Sequence, residues 1–366
     1  MKRSPWHEQL KGQILNIGRE LGFHSKEEVI IKEGRGKIDC VWYIDKPILE
    51  YFIAFEIETS TSGPQIVENL VKILSVPSQI RPRFLIQIYK DRFKEERIRE
   101  HINRIANSLP VAAHIIENVG DNIDNAISKI LIDSFNWICQ YVTLSDELIN
   151  RLKAVLPNRV LNIFHYGEPT FSHLRYLDNA IKNCEDKIIH IKSIPKLDNG
   201  IPIEFKELYK FDIVIISDIS PKYVDLKAIK NYIEKNVIKN GTMLIITGGH
   251  GLTKGYNILK DYLGIIIESR EDKQKEYTMN LDGINISGYL TFGGFNKVKV
   301  IDPDVEVISN WSFENYPALI RRKIGKGEII VFTSDCSPTW GTPSIKGMEF
   351  NKMWRKLVLE RDFNVK

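Results

Sequence analysis

The sequence predicts an α/β protein in two parts: an α-β-β-β-α-β core, a helical connector, and then a parallel sheet covered by helices on both faces. Three observations carry this expectation. Short β-rich runs and amphipathic helical periods alternate through the first hundred residues. Residues 120–156 keep a helical period. Beyond residue 158 the strands become near-continuous apolar runs, the pattern of strands buried on both faces.

Taken in order, Trp6, Leu10, Ile14, Ile17 and Leu21 recur at helical spacing until Gly22 stops them. Val29–Ile31, Lys37–Tyr43 and Tyr51–Glu58 read as three consecutive strands, punctuated by Gly34, Gly36 and Pro47. A helix over 65–75 (Ile66, Leu70, Val71, Ile73, Leu74), a strand Phe84–Tyr89 and a charged surface helix over 91–106 complete the first part. Ile123, Ile127, Ile130, Leu131, Phe135, Trp137 and Ile138 mark the connecting helical segment, which ends near Pro157. Strands follow at 160–164, 188–191, 212–216 and 243–247, then a hairpin of 318–322 and 328–332 turned by Gly325-Lys326-Gly327, and a terminal helix over 349–361.

A chain of 366 residues exceeds one ordinary core and fits two domains, expected at 1–118 and 158–366 with the connector at 119–157 between them. A hydrophobic share of 43% and a charged share of 27% exclude a disordered or fibrous chain. No apolar run reaches the roughly 18 residues that cross a bilayer. The start, Met1 to Glu8, lacks a signal peptide's apolar region, so the expected location is the cytoplasm. Cys40, Cys139, Cys184 and Cys336 are scattered without a Cys-x-x-Cys pair, which points away from a disulfide framework or zinc ribbon. A net charge of +4 is compatible with a nucleic-acid partner without requiring one.

The chemistry in the first part lies in its acids. Glu56 and Glu58 sit two apart on a strand and leave one face, with backbones about 7 Å apart. Asp39 lies on the preceding strand in an apolar setting, where an unpaired carboxylate is costly and a divalent cation is a fitting partner. Three acids on adjacent strands suit Mg²⁺ or Mn²⁺, which can activate water and neutralise charge on a phosphodiester. A solvated edge-strand face is the alternative reading of the same residues.

At these residues the chain resembles the PD-(D/E)XK restriction-endonuclease-like superfamily. The order of helix, Asp39 strand, Glu56-Ile57-Glu58 strand and helix matches, and Ala54-Phe55-Glu56-Ile57-Glu58-Thr59-Ser60-Thr61-Ser62 is similar to a segment of some such domains. The resemblance implies catalysis by Asp39, Glu56 and Glu58, with a metal on Asp39 and Glu56. It also implies Glu8, beside His7 on the opening helix, as an added metal or water ligand, with Glu20 as the rival acid. Glu58 stands where the common pattern has lysine; in some members a lysine on the following helix serves instead, and Lys72 is placed for that role.

Residues from 158 onward resemble the class I glutamine-amidotransferase-like superfamily, whose fold is flavodoxin-like. The resemblance rests on Val331-Phe332-Thr333-Ser334-Asp335-Cys336-Ser337-Pro338-Thr339-Trp340-Gly341 and on Phe211–Asp218, supported by Gly293–Lys297 and Gly325–Gly327. Enzymes of that superfamily carry a nucleophilic Cys on a Gly-x-Cys-x-Gly turn; here the place reads Thr247-Gly248-Gly249-His250-Gly251. Gly248, Gly249 and His250, with Asp335, Cys336 and Trp340, form the candidate site of this half. The glycines are either donors of backbone N–H groups to an anion or a tight turn.

The expected function is a Mg²⁺-dependent or Mn²⁺-dependent endodeoxyribonuclease, with DNA as partner and no membrane, fused to an amidotransferase-like binding or assembly module. The alternatives are a non-catalytic nucleic-acid-binding or sensor protein, and an amidohydrolase using Cys336. Homo-oligomerisation and the second domain's ligand stay open.

Overall fold

A computed structural model describes residues 4–360 except 31–35, 45–49, 60–62, 74–75, 77–80, 94–95, 110, 169, 183–185, 198–199, 273–275 and 342–343. The turn residues Gly34 and Pro47, the stretch 60–62, Leu74 and Cys184 therefore lie outside the described residues. The chain divides into two compact units: Met1–Val160 with Glu185–Ile188, and Leu161–Cys184 with Ile189–Lys366.

The first unit opens with α1 (Pro5–Glu20), whose start is fixed by Ser4: its side chain accepts from His7 N at 3.2 Å, and Pro5 takes the position that needs no donor. Strands β1 (His24–Ile30), β2 (Lys37–Ile44) and β3 (Glu50–Glu58) run antiparallel in sequence; after α2 (Gly63–Lys72), β4 (Phe84–Tyr89) pairs parallel to β3. Helix α3 (Glu96–Ser108) leads to β5 (Ala112–Ile116), parallel to β4, which closes a sheet of order β1-β2-β3-β4-β5. The expected α-β-β-β-α-β order is present, and β5 extends it by one short strand.

Helix α1 lies close on β2. The Trp42 indole donates to Ile14 O at 3.1 Å, and a Cβ at Gly18 would fall 2.4 Å from that indole nitrogen. Helices α4 (Ile123–Ile138) and α5 (Asp146–Val155) bury Ile127, Ile130, Phe135 and Leu152 with Leu10, Ile14 and Phe55 on one face of the sheet. Leu70, Ile73 and Ile102 cover the other face against Ala54 and Leu85. Residues 119–157, read from the sequence as a connector, are therefore part of the core of the first unit: their apolar stripe is buried there.

The second unit holds a seven-stranded sheet of order β14-β15-β16-β9-β8-β6-β7. Its parallel members are β6 (Val160–Gly167), β8 (Ile213–Ser217), β9 (Met243–Thr247) and β16 (Gly327–Phe332). β7 (Ile188–Pro195) borders β6, and β14 (Val305–Asn310) and β15 (Pro317–Ile324) add antiparallel to the far edge. Alternation along β8 explains the apolar runs: Ile213 and Ile215 enter one core with Leu177, Met353 and Trp354, while Val214 and Ile216 enter another with Phe205, Ile229 and Tyr232. The predicted hairpin is the β15–β16 pair, turned at Gly325 with φ +60°.

With β7 beside β6, the strands from β7 to β16 lie in chain order as second, first, third, fourth and last, the flavodoxin-like order. The chain leaves β6 for β7 on one side and returns to β8 on the other. The switch point therefore lies between the carboxyl ends of β6 and β8, the place where ligands bind in open sheets of this kind. Two small pairs, β10 (Ile265–Glu271) with β13 (Phe295–Val300) and β11 (Tyr277–Asn280) with β12 (Tyr289–Phe292), were not legible as strands in the sequence.

Candidate functional site

In the first unit, Cys40 pairs with Phe55 across β2 and β3, which sets Asp39 one step on, level with Glu56. Asp39 is buried and its Oδ2 accepts from Ile57 N at 2.9 Å, with His7 Nε2 at 3.4 Å. Glu56 is 2% exposed; Lys72 Nζ reaches its Oε2 at 2.7 Å and also donates to Lys37 O at 2.9 Å. The second oxygen, Oε1, is buried and accepts no hydrogen bond. Burial pushes the Glu56 carboxyl well up, with Lys72 pulling the other way and Asp39 adding to the rise. Glu58 is half-buried at the end of β3. Glu8 is engaged by Lys11 at 2.8 Å and lies 3.3 Å from His7 Nδ1, so its charge is already answered on its own helix.

One further residue belongs to this face. Gln87 on β4 is in register with Glu56, fully buried, and its Nε2 has no hydrogen-bond partner, while its Oε1 accepts from Tyr89 OH at 3.0 Å. A lone amide inside Phe84-Leu85-Ile86-Gln87-Ile88-Tyr89 is the signal that could have singled it out.

In the second unit the glycine cluster serves packing. The N–H of Gly248 goes to Phe332 O at 2.7 Å, that of Gly249 to Asn296 Oδ1 at 2.8 Å, and that of Gly251 to Asp218 Oδ1 at 2.6 Å. All three donors are taken within the protein, which removes the anion-cradle reading in favour of the tight turn. A Cβ at Gly249, where φ is +131°, would fall 2.1 Å from Asp218 Oδ1. His250 is exposed, with its ring 5.0 Å from that of the buried Trp340. Trp340 O accepts from Gly293 N at 2.6 Å, which anchors the corner after β16.

Cys336 is 2% exposed and burial pushes its thiol well up, so it lacks the thiolate character a nucleophile needs. Of the histidines that could have served it, His165 is engaged by other groups. His165 shares its Nδ1 with Asp178 Oδ1 at 2.7 Å and its Nε2 with Ser217 Oγ at 2.8 Å. His173 Nδ1 lies 3.9 Å from Glu168 Oε2. The Ser217–His165–Asp178 chain is buried throughout and ties α6 (Phe171–Lys182) to the strand ends of β6 and β8.

The switch point itself is acidic. Glu168 follows β6, Asp218 follows β8 and Asp335 follows β16, and one oxygen from each lies within 4.8 Å of the others. Among the described residues this trio, not the acids of the first unit, gathers three ligand-type side chains so closely. Glu168 is held by its backbone: its N–H donates to Ser217 O at 3.0 Å and its carbonyl accepts from Lys196 N at 2.9 Å, with φ at +49°. Asp335 is fixed by Ser337, whose N–H and hydroxyl donate to its two oxygens at 2.7 and 2.6 Å. Burial, then the charge of Asp335, pushes the carboxyls of Glu168 and Asp218 up from their ordinary values; the Gly251 N–H, Lys196 and Arg270 oppose this at Asp218. Sequence reading had singled out only Asp335 as a site residue.

A flavodoxin-like sheet with its switch point between β6 and β8 defines the class of the second unit. Residues 274–361 match a family model described as "Putative glutamine amidotransferase". The match lies wholly within that unit. A search of curated proteins returns no match. Among solved structures, a cytoplasmic protein, STM1381, from Salmonella typhimurium LT2 is 18% identical, covering 56% of this chain and 100% of its own, with a TM-score of 0.44. A second Salmonella typhimurium cytoplasmic protein, STM3548, is 22% identical, covering 54% and 97%, with a TM-score of 0.43. A ThuA-like protein from Bacteroides uniformis is 12% identical, covering 55% and 89%, with a TM-score of 0.38. No described helix is long and apolar enough to cross a membrane.

Proposed function

We propose that the first unit is a divalent-cation-dependent nuclease acting on DNA, and that the second unit is an amidotransferase-like binding or assembly module without thiol chemistry. The observation that carries the first half is Glu56: a buried carboxylate level with Asp39, one oxygen on Lys72 and the other without a hydrogen-bond partner. An orphaned buried oxygen beside a second carboxylate fits a hard cation, and Mg²⁺ needs only one or two protein carboxylates because it keeps several waters. Asp39 and Glu56 would hold the ion, which when bound supplies an activated water and charge neutralisation at a phosphodiester. Ile57 N–H orients Asp39, and Lys72 holds Glu56 while offering a cation to a phosphate. Glu58, at the open end of the same strand face, is the candidate for orienting water.

The second half rests on Cys336, a packed thiol whose pKa burial raises, with His165 already engaged by Asp178 and Ser217. The test is cleavage of plasmid DNA by the full chain with Mn²⁺ and with chelator. Cutting that needs the metal and falls at least a hundredfold in both Asp39→Ala and Glu56→Ala is expected. DNA binding without cutting, unchanged by those substitutions, would favour the non-catalytic alternative.

A further inference from the structure

The trio at the switch point is independent of the nuclease reading. Three carboxylates, two buried and one half-buried, lie within 4.8 Å of one another and repel, and at Glu168 burial and the charge of Asp335 outweigh the opposing pull of Ser337. That side chain is 98% buried by its 2% exposure, and both of its oxygens accept no hydrogen bond; His173 Nδ1, at 3.9 Å, is beyond bonding distance. An unsatisfied buried carboxylate is costly, and folds retain one where it has a ligand to meet. The other two acids are prepared differently: Gly251 N–H fixes Asp218, and Ser337 fixes Asp335 with two bonds. Such outer hydrogen bonds are how proteins orient carboxylates toward a cation. The strands that carry Glu168 and Asp218 are the two that flank the switch point.

We propose that Glu168, Asp218 and Asp335 form a binding site for a hard divalent cation of the Mg²⁺, Mn²⁺ or Ca²⁺ class in the second unit. An all-carboxylate oxygen set, with no His or Cys among the three, selects such ions over zinc or copper. A cation of charge two leaves the trio one negative charge, with Lys196 and Arg270 acting on Asp218 from nearby.

The experiment is calorimetric titration of the full chain with MnCl₂ at pH 7.5. The Asp39→Asn/Glu56→Gln background removes the site proposed in the first unit, so failure of one reading is separable from failure of the other. That background is expected to bind one Mn²⁺, and adding Glu168→Gln or Asp335→Asn should weaken binding at least tenfold. Metal-free Glu168→Gln should melt no lower than its parent, because the amide replaces a carboxyl that burial already keeps from ionising, while the upward shift in Tm caused by Mn²⁺ should vanish. A measurement without substitutions runs alongside: Fe²⁺ with ascorbate and peroxide should cleave the wild-type backbone near residues 168, 218 and 335. A folded background chain that binds no Mn²⁺, binding unchanged by both substitutions, or the absence of cleavage at the three strand ends would overturn the assignment; in that case the carboxylates share protons instead.

Discussion

Lys72→Met tests whether the buried carboxylate of the first unit depends on that lysine. Glu56 is 2% exposed and Lys72 14%, with 2.7 Å between their charged atoms. Removing one partner of a buried pair leaves an uncompensated charge and costs about 3–5 kcal/mol. Glu56→Gln should cost only about 1 kcal/mol, because Lys72 keeps Lys37 O as an acceptor at 2.9 Å. The double variant should then be more stable than Lys72→Met alone, with a coupling of about 2–3 kcal/mol. The assay is urea unfolding in chelator at pH 8 and pH 5. Burial already holds the Glu56 carboxyl above its ordinary range, against the pull of Lys72. A carboxyl raised in the folded state contributes stability that is present below its unfolded value, about 4.3, and lost as pH rises through the folded value. Lys72→Met raises the folded value further, so its penalty should be large at pH 8 and shrink toward pH 5. Mn²⁺ should restore part of the loss at pH 8. A cost under about 1 kcal/mol, or simple additivity of the two substitutions, would refute the argument.

Cys336 should resist alkylation in the native protein and react only on unfolding, and neither the wild type nor Cys336→Ser should release ammonia from glutamine above background; release by the wild type that the substitution removes would make the second unit an enzyme. His114 stacks on Trp137 at 5.0 Å, and burial lowers its pKa to about 4. Its stability contribution is present above the unfolded value of about 6.5 and lost as pH falls through the folded value, a loss of about 2–3 kcal/mol after allowing for partial exposure. His114→Phe should therefore flatten the acid limb of the unfolding curve between pH 6.5 and 4; an unchanged limb would assign it to other groups.

How far the sequence speaks depends on whether a feature is local. The apolar runs of β6, β8 and β9 announce themselves because each strand is buried on both faces, and the α1 period because Leu10, Ile14 and Ile17 all meet one core. The small pairs β10–β13 and β11–β12 were missed because their strands mix exposed polar residues such as Arg270 and Asn280 with buried ones such as Tyr277 and Phe295. Glycines 248, 249 and 251 were visible as a cluster, but whether their N–H groups face an anion or the protein depends on Asn296 and Asp218, far away in sequence.

The switch-point acids are the extreme case of that dependence. Glu168 ends the run Phe164-His165-Tyr166-Gly167 and Asp218 ends Ile215-Ile216-Ser217, fifty residues apart, and neither has an acidic neighbour to mark it. Only the strand order, which sets β6 beside β8 and brings β16 near, turns three isolated residues into one group. The usable signal was positional: in a flavodoxin-like order the first and third strands flank the crevice, so the residue directly after each is the one to examine for chemistry. Applied here, that rule selects Glu168 and Asp218 from the sequence as soon as the order of the strands is known. It also explains why the nucleophile turn after the fourth strand can be given over to Gly248 and Gly249: a side chain there would strike Asn296 and Asp218, and the turn is shaped around the acids.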